Sequence, residues 1–234
     1  MNFLFNPDTW INLGILTILE IVLGIDNIVF LVLVSNHLPQ HQQKFARRLG
    51  LILAMVMRLV LLGGIYEIAQ LTQPLFTLGP MEFSARDLLM LGGGLFLLVK
   101  GLQELKDYYT HHHAAHKLPK KLTFVSAITQ IVLLDIVFSI DSVITAVAIA
   151  NQYFVMAAAI IIAVVVMMLA SEPINRFINR YARVKLLAIV FVILIGVILV
   201  LQGFEIVIPH YYLYLILAIL AVIILPNWPW NKKQ

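Results

Sequence analysis

Apolar runs long enough to cross a bilayer recur seven times in this chain of 234 residues, and they dictate what it can fold into. They extend approximately from Trp10 to Val34, Leu49 to Leu71, Leu88 to Leu105, Phe124 to Ala150, Tyr153 to Ala170, Leu186 to Phe204 and Tyr211 to Leu225. Each is near or above the roughly 20 residues that a helix needs to traverse a hydrocarbon core about 30 Å thick. The runs are too long and too uniformly apolar for the period-2 alternation of barrel strands, so an all-α transmembrane fold is expected. Charged residues make up 12% of the chain, against about 25% in an average soluble domain. With a mean hydropathy of +0.96, a water-soluble fold would expose large apolar patches, whereas lipid accepts them. Met1 to Trp10 has no Lys or Arg and carries Asp8, so the first run is read as a retained span rather than a cleaved signal. Without cysteine there are no disulfides, zinc-thiolate sites or iron-sulfur clusters.

Basic residues alternate between the connections. Lys44, Arg47 and Arg48 follow the first span; Lys106, Lys117, Lys120 and Lys121 follow the third. Arg176, Arg180, Arg183 and Lys185 follow the fifth, and Lys232 and Lys233 close the chain, while the other connections hold only Arg86. The positive-inside rule therefore places the N-terminus outside and the C-terminus in the cytoplasm. Topology and anionic lipid account for the net charge of +4, and no aromatic residues interleave with the basic ones, so no nucleic-acid partner is expected.

LEIVLGIDNIVF at Leu19 returns as LDIVFSIDSVIT at Leu134, an offset of 115 residues. Glu20 aligns with Asp135, Gly24 with Ser139, Asp26 with Asp141 and Asn27 with Ser142. Such a repeat divides the chain into a three-helix unit over 1–110, a cytoplasmic His- and Lys-rich linker over 111–123, a second unit over 124–205, and a seventh helix with its tail over 206–234. Three spans per unit force the second copy to be inverted, an arrangement that in transporters puts the substrate near the midplane at the repeat interface.

Residues six apart on an ideal helix are separated by about 9 Å along the axis and roughly 120° around it, so Glu20 and Asp26 cannot hold one ion from an unbroken helix. Inversion reverses depth order, setting Glu20 level with Asp141 and Asp26 level with Asp135. Two cross-repeat acidic pairs satisfy this. So does a single site, if the helices unwind at Gly24 and Ser139. Ionised carboxylates at this depth cost several kcal/mol unless they meet cations or protons. The donors are all oxygen: Glu20, Asp26, Asp135 and Asp141, the Asn27 amide, and the hydroxyls of Ser139, Ser142 and Thr145. Hard oxygen ligands suit Mg²⁺, Ca²⁺ and Mn²⁺ rather than Cu⁺ or Zn²⁺. Arg58 and Lys100, inside the second and third spans, are candidate counter-charges or gating residues that could instead neutralise two of the acids structurally. Glu172, before Pro173, is expected to cap its helix or pair with the adjacent basic loop. His111 to His116 read as a flexible linker, since imidazole is a poor selector of Mn²⁺. Gly92, Gly93, Gly94 and Gly101 read as close helix packing, with no P-loop present.

The ExxxGIDN and DxxxSIDS segments, together with GGGLFLLVKGLQEL, SEPINRFI and GFEIVIPHYYLYLILA in that order, resemble the TerC family of integral membrane proteins, named for tellurium resistance. The resemblance covers roughly Trp10 to Leu225. It implies kinship with the LysE group of exporters and a link to manganese, through efflux from the cytoplasm or delivery to metalloenzymes after secretion. It further implies that Glu20, Asp26, Asn27, Asp135, Asp141 and Ser142 form the ion site. The reading from residues stops at a hard divalent cation; manganese comes from the resemblance. Tellurite is an oxyanion that a carboxylate-lined site would repel, so a tellurium phenotype is expected to be indirect.

Two functions follow. One is a bacterial inner-membrane exporter of a divalent cation, with Mn²⁺ as cargo rather than cofactor and protons as a candidate coupling ion. The other is a membrane scaffold or metal-loading partner for secretion machinery or metalloenzymes. A homo-oligomer is compatible with either. An enzyme is not expected, because no nucleophile lies beside a His base and no helix carries HExxH.

Overall fold

The computed structural model describes residues 7–64, 73–78, 81–113, 122–149, 153–206, 215–216 and 218–220. Seven helices are resolved there: α1 (Pro7–Leu23), α2 (Ile25–Ser35), α3 (Gln40–Gly63), α4 (Ala85–His113), α5 (Phe124–Ile149), α6 (Tyr153–Arg180) and α7 (Ala182–Gly203). They do not map one to one onto the seven expected spans. The first span is two helices that part at Gly24, and the expected seventh span lies mostly outside the described residues.

Among the described residues, four helical segments are long and apolar enough to cross a membrane: Thr9–Ser35, Ala85–Tyr109, Tyr153–Arg180 and Ala182–Gly203. Phe124–Ile140 is a shorter apolar stretch. The α3 helix falls short because it begins nine residues before the expected Leu49 and so carries Lys44, Arg47 and Arg48 as well as Arg58. Its buried stripe, Arg47, Leu51, Ala54 and Arg58 at helical spacing, faces the bundle. On α1, by contrast, Ile11, Ile15, Ile18 and Val22 form an exposed apolar face suited to lipid.

One departure from an all-α chain is a short antiparallel hairpin of β1 (Pro74–Leu78) and β2 (Met81–Ser84), bulged between Pro74 and Phe76. Phe76 stacks on Phe83 at 5.5 Å, and Phe83 meets Phe204 edge-on at 6.3 Å, which docks the hairpin on the end of α7. Ser84 then starts α4 as a capping residue. Its amide donates to Asp87 Oδ2 at 2.9 Å, and the Asp87 amide donates back to Ser84 Oγ at 3.2 Å.

The most extensive helix contact is between α4 and α7, which run antiparallel. Glycines make it possible, as their motif in the third span suggests. A methyl group at Gly94 would stand 2.8 Å from the Val200 amide nitrogen and 2.9 Å from the Gly196 carbonyl oxygen. At Gly196 it would meet the Leu98 nitrogen at 3.0 Å, and at Gly203 the Asp87 carbonyl at 2.9 Å. Gly101 admits Ile193 and Gly93 admits Val137, whereas Gly92 faces open space. Small residues that let backbones touch are the usual means of association where lipid removes the hydrophobic driving force.

Charged side chains bind the helix ends nearer the basic connections. His37 Nε2 lies 2.9 Å from Glu104 Oε2, Lys185 Nζ lies 3.4 Å from Glu104 Oε1, and His37 Nδ1 approaches the Leu33 carbonyl at 3.1 Å. Arg47, buried, donates to Glu172 Oε2 at 2.7 Å and to Ser35 Oγ at 3.3 Å. Glu172 thus pairs with a residue of the first basic connection, across helices rather than as a cap. Asn36 and Asn179 exchange amide hydrogen bonds at 3.1 and 3.3 Å.

Gly196→Val is expected to lower the thermal midpoint of the detergent-solubilised protein by an overpacking cost of about 1–3 kcal/mol, while Gly92→Ala is neutral or slightly stabilising. The hydrogen bond to Glu104 raises the His37 pKa above its ordinary value near about 6.5, outweighing burial. A raised folded-state pKa means that this contribution to stability is full below that ordinary value and is lost as pH rises through the folded-state value. Thermal melts across that window should show the loss in the wild type and not in His37→Gln.

Candidate cation site

At the middle of the bundle the chain break at Gly24 separates two polar residues of interest onto different helices. Glu20 belongs to α1, while Asn27 lies in the first turn and a half of α2. Gly24 adopts φ −98° and ψ 0°, and its amide donates to the Ile21 carbonyl at 3.1 Å, a tightened turn between the two helices. A side chain there would strike Met167 Sδ on α6 at 2.5 Å, so glycine also gives room for α6 to press against the break. Its repeat counterpart behaves differently: α5 runs unbroken through Ser139, which corrects the expectation of a second break. The difference is local, since glycine weakens a helix interior more than serine does; Ser139 Oγ donates back to the Asp135 backbone carbonyl and lies 3.1 Å from Asp135 Oδ2 without breaking α5.

Arg58 stands at the centre. Its Nη1 donates to Glu20 Oε2 at 2.6 Å; its Nη2 and Nε donate to Asp135 Oδ1 and Oδ2 at 2.7 and 3.1 Å, a bidentate clasp. Three helices, α1, α3 and α5, are thereby joined at one guanidinium. Asn27 brings in α2 by donating from Nδ2 to Asp135 Oδ1 at 3.0 Å. Exposure is 2% for Glu20 and Arg58, 6% for Asp135 and 8% for Asn27, so this network is buried. Asp26, partly exposed, accepts the Asn27 amide at 3.0 Å and sits within electrostatic range of Arg58 and Asp135. Ser142 is buried and donates to the Ser139 carbonyl at 3.2 Å.

Within this cluster Glu20 Oε1 and Asn27 Oδ1 are buried without a hydrogen-bond partner, as are Thr9 Oγ1, Thr17 Oγ1, Arg47 Nε and Gln130 Oε1 elsewhere among the described residues. Beside Asn27, and not reaching Glu20, is a cavity of about 10 Å³, room for roughly one water molecule, lined by Asn27, Leu51, Ala54, Ile131, Asp135 and neighbouring apolar side chains. It lies along the α3 stripe, one to two turns from Arg58 toward the helix's basic end.

Of the residues expected to form the site, Glu20, Asn27, Asp135 and, more loosely, Asp26 come together, with Arg58 among them. The side chain of Asp141 is outside the described residues, as is the expected Glu20–Asp141 pair. The described link from Glu20 runs to Asp135 through Arg58. Lys100 is apart from the cluster, its ammonium 5.7 Å from the centroid of the Phe96 ring one helical turn away. His111 to His113 continue α4, and the remainder of the histidine-bearing linker lies outside the described residues. Among the described residues, no three His, Asp or Glu side chains converge as metal ligands. Arg47 reads in sequence as one loop charge among several. Its place on the same stripe as Arg58, eleven residues away, is the signal that marks it as buried.

A profile of the integral membrane protein TerC family matches residues 5–234. The inner membrane protein YgdQ of Escherichia coli K12 is 48% identical over 229 residues, covering 98% of this chain and 96% of the relative. YoaE of the same strain, also named an inner membrane protein, is 46% identical over 216 residues, which are 92% of this chain but 42% of that longer protein. A Haemophilus influenzae relative is 43% identical over 224 residues, 95% of this chain and 94% of its own length. No solved structure matches the chain significantly.

Asp135→Ala leaves Arg58 buried with its main partner gone and is expected to cost about 3–5 kcal/mol, most of it recovered by adding Arg58→Met. Unfolding of the single and double variants in detergent measures both.

Proposed function

Because the chain belongs to the TerC family of integral membrane proteins, we propose that it is an inner-membrane transporter of a hard divalent cation, carrying manganese(II) out of the cytoplasm. The observation that carries this reading is the pair of buried, unpartnered oxygens, Glu20 Oε1 and Asn27 Oδ1, one on each side of the break in a membrane span, with a one-water cavity against Asn27 and Asp135. Native proteins rarely leave buried acceptors unsatisfied, and a discontinuous helix at bilayer depth is where transporters coordinate ions. Glu20, Asp26 and Asp135, when ionised, exceed Arg58 by two negative charges, which one divalent ion balances. Mg²⁺, Ca²⁺ and Mn²⁺ all suit these donors; the choice of manganese rests on the family resemblance.

Packing is reciprocal in a way that fits two inverted units: α3 lies on α5 as α1 lies on α6, while α3 meets α6 and α4 meets α7. The connection bearing Lys44, Arg47 and Arg48 is then cytoplasmic, and the cavity is the cytoplasmic approach to the carboxylates. Metal-binding carboxylates that take up protons on the return step would supply coupling.

One observation favours the scaffold or metal-loading reading instead. Arg58 already engages Glu20 and Asp135, as a purely structural ion cluster would.

Liposomes containing the purified protein, tested with Mn²⁺, Mg²⁺ and Ca²⁺, separate the two. Transport should lose at least about tenfold in rate in Asp26→Asn and in Asp141→Asn, a loss typical of disturbed metal ligation. Undiminished flux in both variants would remove the carboxylates from the site, and absence of flux for every ion would leave the scaffold.

A further inference from the structure

We propose that Arg58 is the resident counter-cation of the transport site: its guanidinium holds the carboxylates between transport events, and the incoming divalent ion must displace it. This rests on the transport reading above and adds to it the identity of the group that occupies the site when cargo does not.

Geometry distinguishes this from a permanent structural cluster. A structural network of buried charges is stable when all its members are satisfied, because each orphaned polar atom in a dry interior carries its full desolvation cost. Here Arg58 takes one oxygen of Glu20 and both of Asp135, yet Glu20 Oε1 and Asn27 Oδ1 are left without partners. Both are hard oxygen acceptors, and one belongs to each side of the Gly24 break. A cation reaching either oxygen would supply the partner that Arg58 leaves missing. The cavity reaches the cluster on the Asn27 and Asp135 side, so an entering ion meets oxygens of the site before it meets the guanidinium.

The cluster is also divided among elements that can separate. Glu20 is on α1, Asn27 on α2, Asp135 on α5 and Arg58 on α3, with no two of them on one rigid helix. The only covalent link among the first two is the turn at Gly24. Its close neighbour is the flexible thioether of Met167 rather than backbone from another helix. Glu20 can therefore swing relative to Asn27 without unpacking a backbone contact. Arg58 has the opposite property: a guanidinium cannot shed its proton in a protein, so it remains a cation whether or not it is engaged. It competes with the cargo at every pH at which the protein folds.

Competition of this kind separates two measurements that a structural arginine would move together. If the guanidinium holds the free site at least nine-tenths of the time, removing it raises apparent metal affinity at least about tenfold. Net transport needs the unloaded carrier to reorient with its carboxylates neutralised, whereas exchange of labelled for unlabelled metal needs only the loaded form. Binding of Mn²⁺ to the full-length protein in detergent should therefore tighten at least about tenfold in Arg58→Gln. In liposomes the same variant should keep Mn²⁺/Mn²⁺ exchange and lose net efflux. Arg58→Lys, which retains a cation but not the bidentate clasp, should bind Mn²⁺ more tightly than wild type by a smaller factor and retain part of the net flux. It supplies the test if Arg58→Gln does not fold.

Weaker or unchanged Mn²⁺ binding in the folded variants, or parallel loss of exchange and net efflux, would make Arg58 a structural residue and overturn the inference while wild-type flux still upholds transport. If the wild type neither binds nor moves Mn²⁺, Mg²⁺ or Ca²⁺, it is the transport reading itself that fails, and the inference with it.

Discussion

A guanidinium buried in the bundle must be matched by opposite charge, and the crossing of its helices follows from how Arg58 is accommodated. Desolvating such an ion costs several kcal/mol, which is recovered only by excellent geometry with opposite charges. Asp135 supplies that geometry through two parallel hydrogen bonds, and Glu20 adds a third contact from another helix. Helices α1, α3 and α5 must therefore cross close to one point, and Asn27 pulls α2 to it as well. The apolar residues around this point, Leu31, Leu134 and Met167 among them, seal the network from water but do not choose where it lies.

The break at Gly24 has meaning only against that anchor. Were the first span continuous, Glu20 and Asn27 would ride on one rigid rod and would share a face of it. Two helices allow the acid and the amide to approach Asp135 from separate directions. The arginine stripe of α3 adds order along the path. Arg58 closes the stripe at depth, Arg47 closes it near the basic connection by joining Glu172 and Ser35, and the cavity lies between them.

Much of this is legible in the amino-acid sequence because charge is scarce in it. Glu20, Asp26, Asp135 and Arg58 stand out against an apolar background, and burial at bilayer depth obliges scarce charges to meet. Chain boundaries were less legible for α3 and α6, which extend beyond their apolar cores into polar residues that hydropathy assigns to connections. The break at Gly24 and the continuity at Ser139 illustrate a subtler limit. The two occupy matching repeat positions, and what separates them is that glycine weakens a helix interior more than serine does. Lys100 shares with Arg58 a positive charge inside an apolar span, but its long flexible stem settles over Phe96. The hairpin of β1 and β2 left no periodic signal, being held by three aromatic rings rather than by alternation.

The glycine seam between α4 and α7 has a mechanical consequence. Backbones in contact at Gly94, Gly196 and Gly203 interlock like teeth, and the two helices could slip past one another only by a whole spacing between glycines, seven residues or about 10 Å of travel. Small displacements are thus denied to this pair. The pair is held as one rigid unit, whereas the turn at Gly24 meets a side chain, Met167, rather than the backbone of another helix.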